Sequence, residues 1–104
     1  LQKKEMVPFL LLQSVDDANL SFVILDPLRI FPDYTIEEKA IKHCVDWKED
    51  EEMSCFVIVS IPNGQPEKMT ANFMAPILIN NDRKEGLQLI LENSGYSHKH
   101  ALLS

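Results

Sequence analysis

Met53-Ser54-Cys55-Phe56-Val57-Ile58-Val59-Ser60-Ile61 is the stretch on which the fold turns. It is nearly continuous in apolar and β-branched residues, which reads as a strand covered on both faces. Pro62-Asn63-Gly64-Gln65-Pro66 ends it with a turn. Beyond that turn, Thr70 to Met74 and Ile77 to Asn80 read as two strand halves divided by Ala75-Pro76. Proline has no N–H to give to a ladder, so a bulge or strand break is expected there. Asn72 interrupts an otherwise apolar half. A buried Asn needs hydrogen-bond partners, so it is expected to fix the backbone around Pro76. Asn81 to Gly86 turns the chain into a last strand, Leu87 to Glu92.

The chain before Met53 is punctuated by proline and Asx residues rather than by glycine. Phe9 to Ser14 and Leu20 to Leu25 read as a two-stranded hairpin around the turn Val15-Asp16-Asp17-Ala18-Asn19. Leu28-Arg29-Ile30-Phe31 alternates as one more short strand before Pro32-Asp33. From Tyr34 onward two readings compete. Tyr34 to Glu37 can finish that strand, or Thr35 with Glu38 can form a capping box. Ile36, Ala40, Ile41, Cys44 and Val45 share a helical face, which predicts a short helix over Glu38 to Cys44. Lys48 to Glu52 follows as a solvated loop. Short strands spaced by turns, with one brief helix, give an all-β fold: an antiparallel sandwich or barrel.

A length of 104 residues allows one small domain, expected to span 1–104. The composition, 45% hydrophobic and 25% charged, is that of a folded globular chain. Sixteen acidic against ten basic residues leave a net charge of −6, and direct contact with nucleic acid requires the opposite. No apolar stretch approaches the roughly 20 residues that span a bilayer, so no membrane role is expected. Two cysteines, Cys44 and Cys55, are too few for a disulfide framework, and the cytoplasm is the expected compartment. The opening Leu1-Gln2-Lys3-Lys4-Glu5 carries neither Met nor a signal-peptide pattern. It reads as a fragment or processed product.

No catalytic constellation emerges. His98 and His100 could share one face of a strand, but zinc needs further ligands, and the cysteines lie in separate elements. A polar C-terminal tail is the plainer reading. Cys44 adjoins His43, yet sequence neighbours point apart and make poor nucleophile–base pairs. Cys44 is expected on the packed helix face and Cys55 within its strand. The three glycines form no phosphate loop, and neither cofactor nor metal is expected. Asp46 to Glu52 holds five carboxylates against Lys48. Such a run is ordinarily a solvated loop, and alternatively a docking surface for a basic partner, with Glu49, Asp50, Glu51 and Glu52 steering it. In Phe31-Pro32-Asp33-Tyr34, Phe31 belongs to the core, whereas Tyr34 either bonds inward or sits at an interface.

Leu12-Gln13-Ser14, Asp26-Pro27, Phe31-Pro32-Asp33-Tyr34, Met69-Thr70-Ala71-Asn72, Ala75-Pro76-Ile77, Ile79-Asn80 and Tyr96-Ser97 recur in an order that resembles the FliW family of flagellar assembly factors. The resemblance covers nearly the whole chain, and its Met-Thr-Ala-Asn…Ala-Pro-Ile…Ile-Asn block is the specific part. The motif positions are Phe31, Pro32, Asp33, Thr70, Asn72, Pro76 and Asn80. Two departures stand out. The family's opening strands are missing, and the tail Tyr96-Ser97-His98-Lys99-His100-Ala101-Leu102 only approximates the usual Tyr-Ser-x-Arg-His-Pro-Leu.

The resemblance implies a small, partly open antiparallel β-barrel and a cytoplasmic, non-enzymatic regulator. Such a protein binds the translational regulator CsrA and antagonises it, and also binds flagellin. Tyr34 and Tyr96, with the acidic run, are the partner-binding positions this reading names. The competing readings are a barrel enclosing a small ligand and a structural flagellar component. A filled barrel or an open cavity separates the first of these.

Overall fold

In a computed structural model of the chain, residues 2–6, 9–13, 16–17, 21–92 and 94–102 are described. The elements are β1 (Gln2–Met6), β2 (Phe9–Gln13), β3 (Ser21–Leu25), α1 (Glu38–Cys44), β4 (Met53–Ser60), β5 (Thr70–Ala71), β6 (Ile77–Asn80), β7 (Glu85–Gln88) and β8 (His100–Ala101). Pro27–Arg29 and Pro66–Lys68 add single 3-10 turns. The expected first hairpin forms, with Phe9 opposite Leu25 and Gln13 opposite Ser21. Of its turn, only Asp16 and Asp17 are among the described residues, and Ser14 and Leu20 lie outside them.

The apolar stretch at Met53 is the organising strand. Its C-terminal half pairs with β3, Val57 facing Leu25 and Val59 facing Val23. Its N-terminal half pairs with β6, from Met53 opposite Asn80 to Phe56 opposite Ile77. The sheet runs β1-β2-β3-β4-β5-β8, with β6 and β7 branching from β4. All described pairings are antiparallel, and the sheet does not close into a barrel. Alternation then sorts the side chains. Leu25, Val57, Val59 and Leu78 enter the main core with Trp47, Phe73, Leu89 and Leu91. Leu12, Ile24 and Phe56 form a smaller cluster, with Leu10, Ile58, Ile77 and Ile79 packed against it.

The break predicted at Ala75-Pro76 is wider than the sequence indicated. Ala71 faces Val59 and Ile77 faces Phe56, so residues 72–76 stand opposite only Val57 and Ile58. The ladder stops after Ala71, not after Met74. The Asn72 carboxamide accepts from Ala75 N–H at 3.0 Å, turning the chain back on itself. Asn72 is half-buried rather than buried. The bulge is stitched from outside by Leu89 N–H to Pro76 O (2.9 Å) and Leu91 N–H to Met74 O (2.7 Å). For this reason the strand expected over Leu87 to Glu92 runs instead from Glu85 to Gln88: Leu89 and Leu91 spend their donors on the bulge, not on β6.

Three further expectations are corrected. Leu28 to Phe31 is no strand; Asp26 caps a 3-10 turn by accepting from Leu28 N–H (3.0 Å), and Pro27 supplies the preset φ of a first helical position. Helix α1 has the predicted bounds, but its N-cap is Glu37 without a side-chain hydrogen bond, so no Thr35–Glu38 capping box forms. Cys44 is exposed rather than packed.

Candidate functional site

Five rings meet where the C-terminal segment crosses the bulge. Phe73 is fully buried, and the Tyr34 ring lies 5.3 Å from it at 74°. The Tyr34 hydroxyl donates to the Phe73 carbonyl at 2.6 Å. Burial is the main reason the Tyr34 phenol is pushed well above its ordinary range, with Cys55 and Tyr96 adding to it. The Tyr96 ring lies 4.6 Å from that of Tyr34, tilted by 50°, and its hydroxyl accepts from Thr35 N–H at 3.2 Å. His100 packs against Phe73 at 4.9 Å, so it is a structural member of the tail and not a free polar residue. Phe31 meets Tyr96 edge-on at 5.6 Å, a favoured aromatic geometry. Of the two readings of Tyr34, the inward hydrogen bond is the one present, and the residue is buried. Tyr96 is half-buried, while Pro32 and Asp33 are exposed.

The acidic run sits at a different place, strapped to the turn between β6 and β7. Asn80, fully buried, accepts from Asp82 N–H and Arg83 N–H (3.0 Å each), and so shapes that turn. Lys84 completes it at φ 57°, a left-handed conformation that costs a non-glycine residue about 1–2 kcal/mol. The turn presents Arg83, whose Nε donates to Glu51 (2.6 Å) and whose Nη1 donates to Asp46 (3.1 Å). Glu51 also accepts from Lys48 N–H at 2.7 Å. The Arg83 bond first, then the backbone donor, pulls the Glu51 carboxyl down to about 2. The Asn80 amide nitrogen has no hydrogen bond, yet lies near enough to Glu51 to favour its charged form.

Further ties run from Glu52 N–H to Asp82 (2.9 Å), Asn81 N–H to Glu52 O (2.8 Å) and Trp47 Nε1 to Glu85 (3.1 Å). Glu49 reaches Lys42 of α1 at 3.2 Å. The run is therefore not a free loop. Glu51 is consumed internally, its side chain 14% exposed, while Asp50 and Glu52 remain exposed and Glu49 keeps 75% of its side chain in solvent. Arg83 and Trp47 are what sequence reading missed here; Asn80 was named as a motif position, but not its role in shaping this turn. An Arg set directly after the turn residues Asn80-Asn81-Asp82 was the available signal.

Between α1, the Pro27–Arg29 turn and the N-terminal half of β4 lies an open groove of about 550 Å³. Ile36, Ile41, Cys55, Phe56 and Leu78 line it, and Asp26 stands in its wall. Burial, then the Asp26 charge, pushes the Cys55 thiol up to about 12, which keeps it a protonated, unreactive lining group. Among the described residues no three His, Cys, Asp or Glu side chains converge as metal ligands. No helix among them is long and apolar enough to cross a membrane.

The model of the FliW protein family matches residues 1–102. The chain is 41% identical to the flagellar assembly factor FliW of Caldanaerobacter subterraneus subsp. tengcongensis over 97% of its own length and 67% of the relative's. It is 36% identical to that of Natranaerobius thermophilus over its whole length and 70% of the relative's. A crystal structure of the flagellar assembly factor FliW superposes with a TM-score of 0.80 at 34% identity, covering 96% of this chain and 70% of the other. With a family model matching nearly the whole chain and relatives this similar, the chain belongs to the FliW family of flagellar assembly factors.

Proposed function

We propose that the chain is a non-enzymatic, protein-binding regulator acting in flagellar assembly in the cytoplasm. It binds a CsrA-type translational regulator away from that regulator's RNA contacts and weakens its hold on flagellin mRNA. It also binds flagellin, so that accumulating flagellin releases the regulator and repression returns. No cofactor, nucleic acid or membrane takes part directly. Family membership across residues 1–102 is the observation that carries this reading. The charge supports it: a chain of net charge −6 is suited to attract a basic, RNA-binding protein. Exposed carboxylates at Glu49, Asp50 and Glu52 give that attraction a place.

The test is direct. The purified chain is mixed with the regulator, with flagellin, and with both, and complexes are separated by size. Binary complexes with each partner, and tighter RNA binding by the regulator once flagellin is added, are the expected results. Absence of both binary complexes overturns the reading. The ligand-barrel alternative has one observation in its favour, the open groove beside α1, but the sheet around it is not a closed container.

A further inference from the structure

The turn after β4 carries a dipeptide with chemistry of its own. Residues 61–68 are all exposed, and among them stands Asn63-Gly64, the one asparagine–glycine step of the sequence. Gln65 N–H to the Pro62 carbonyl, at 3.0 Å, closes the turn. Gly64 sits at φ 75°, the left-handed value that the third position of such a turn takes, and no atom beyond its chain neighbours lies within 4 Å of where a side chain would begin. Neither the Asn63 carboxamide nor the Gly64 N–H has a hydrogen-bond partner among the described residues. The other described asparagines differ at the atom that matters. The N–H after Asn72 donates to Ser97 O (3.0 Å), the one after Asn80 to Glu52 O (2.8 Å), and the one after Asn81 to the Asn80 carboxamide (3.0 Å).

Asparagine is among the chemically labile side chains, and its lability depends on the nitrogen that follows it. We propose that Asn63-Gly64 is a site of spontaneous deamidation. The Gly64 nitrogen gives up its proton to hydroxide and attacks Asn63 Cγ. The new N–C bond closes a five-membered succinimide, and the Cγ–Nδ2 bond breaks with release of ammonia. Water then opens the ring at either carbonyl. One product is an aspartyl residue; the other is isoaspartyl, whose main chain runs through the side-chain carboxyl carbon and is one methylene longer. Either product adds one negative charge to the net −6. The step needs a free nitrogen, no side chain crowding it, and a backbone that rotates; an exposed glycine in a solvated turn supplies all three. The turn joins β4 to β5, so the longer backbone enters the connection that sets Ser60 opposite Thr70.

The purified chain is incubated in mildly alkaline and in mildly acidic buffer, beside the synthetic peptide Ile-Pro-Asn-Gly-Gln-Pro and the variant Asn63→Gln, whose longer side chain does not close the five-membered ring. Charge-isoform separation and peptide mapping by mass spectrometry follow the loss of ammonia residue by residue, with melting curves to confirm folding. In alkaline buffer, conversion at Asn63 is expected within tenfold of the free peptide's rate and ahead of every other asparagine. It should slow in acid, where less of the nitrogen is deprotonated. The first acidic isoform of the wild type should be missing from Asn63→Gln. Three results overturn the assignment: conversion more than tenfold slower than in the peptide, conversion led by another asparagine, or an acidic isoform that forms as fast in Asn63→Gln. The first of these would mean that the folded turn holds the Gly64 nitrogen away from Cγ.

Discussion

The two seams of this molecule are built from opposite materials. At one, residues 72–76 and the tail are joined by buried rings and backbone bonds: Phe73, Tyr34, Tyr96 and His100, with Leu89 and Leu91 closing the bulge. At the other, the acidic loop is joined to the β6–β7 turn by charged groups in contact with water: Arg83 with Glu51 and Asp46, and Asp82 with the Glu52 amide. The first removes apolar area from water and satisfies backbone groups in a low dielectric, so it contributes to folding. The second is screened, and its net contribution is small. What it supplies is position, because it holds the loop in one place while leaving Asp50 and Glu52 exposed.

That contrast is broken most severely at Phe73. Truncation to Ala removes the ring against which Tyr34, Phe31 and His100 pack. A fully buried Phe lost this way costs about 3–5 kcal/mol. Melting temperature should fall by well over ten degrees for a domain of this size. A small shift would show the tail to be an appendage rather than part of the core.

Asn72→Ala comes next. It removes the acceptor for Ala75 N–H, in a residue that is itself buried. An orphaned buried donor costs about 1–3 kcal/mol, and the half-buried position of Asn72 places the expectation in the lower part of that range. Denaturant unfolding measures it through the midpoint, with an unchanged slope. No change in the midpoint would mean that water replaces the carboxamide and that Pro76 alone sets the break.

How much of this was legible follows the distance over which each feature is encoded. Met53 to Ser60 announces itself because its own residues suffice, and α1 likewise through Ile36, Ile41 and Val45. The bulge was half legible: Pro76 forbids a ladder bond locally, but its width depends on Leu89 and Leu91 donating to the carbonyls of Pro76 and Met74. Leu28 to Phe31 was misread because alternation outweighed the Asp26-Pro27 cap beside it. The straps were illegible. Arg83 lies 32 residues from Glu51 and Tyr96 lies 61 from Thr35, separations at which no local pattern constrains pairing. That Glu51 is already paired with Arg83 was illegible for the same reason, since nothing in the acidic run marks which of its carboxylates is occupied.

The strap has its own signature in pH. Glu51 is held at about 2 in the folded chain, against an ordinary 4.5. A depressed carboxyl favours the folded state fully above its unfolded value, and that contribution fades as pH falls through the folded one. Stability from this carboxylate is therefore present above about pH 4.5 and lost progressively toward pH 2. Unfolding curves of Glu51→Gln and wild type should differ at neutral pH and converge across that window. A constant gap down to pH 2 would mean that Arg83 is paired to Asp46 rather than to Glu51.

The smallest effect on stability, and the most informative about binding, belongs to the exposed carboxylates that the strap leaves over. Glu49→Gln, Asp50→Asn and Glu52→Gln together neutralise three acidic side chains and spare Glu51, so the contact with Arg83 is untouched. Exposed charges contribute little to folding, and the melting curve should barely move. If these groups steer a basic partner, association with the purified regulator should slow several-fold at low salt while dissociation changes little. The difference should shrink as salt is raised, because the screening length falls to about 8 Å at physiological ionic strength. Equal association rates at low salt would leave the acidic loop with a structural role alone, and would move the search for the regulator's footprint to the groove beside α1. Adding Glu51→Gln to the triple variant then sharpens the comparison. A further slowing without loss of fold would mean that the strap orders the approach surface as well as holding the loop.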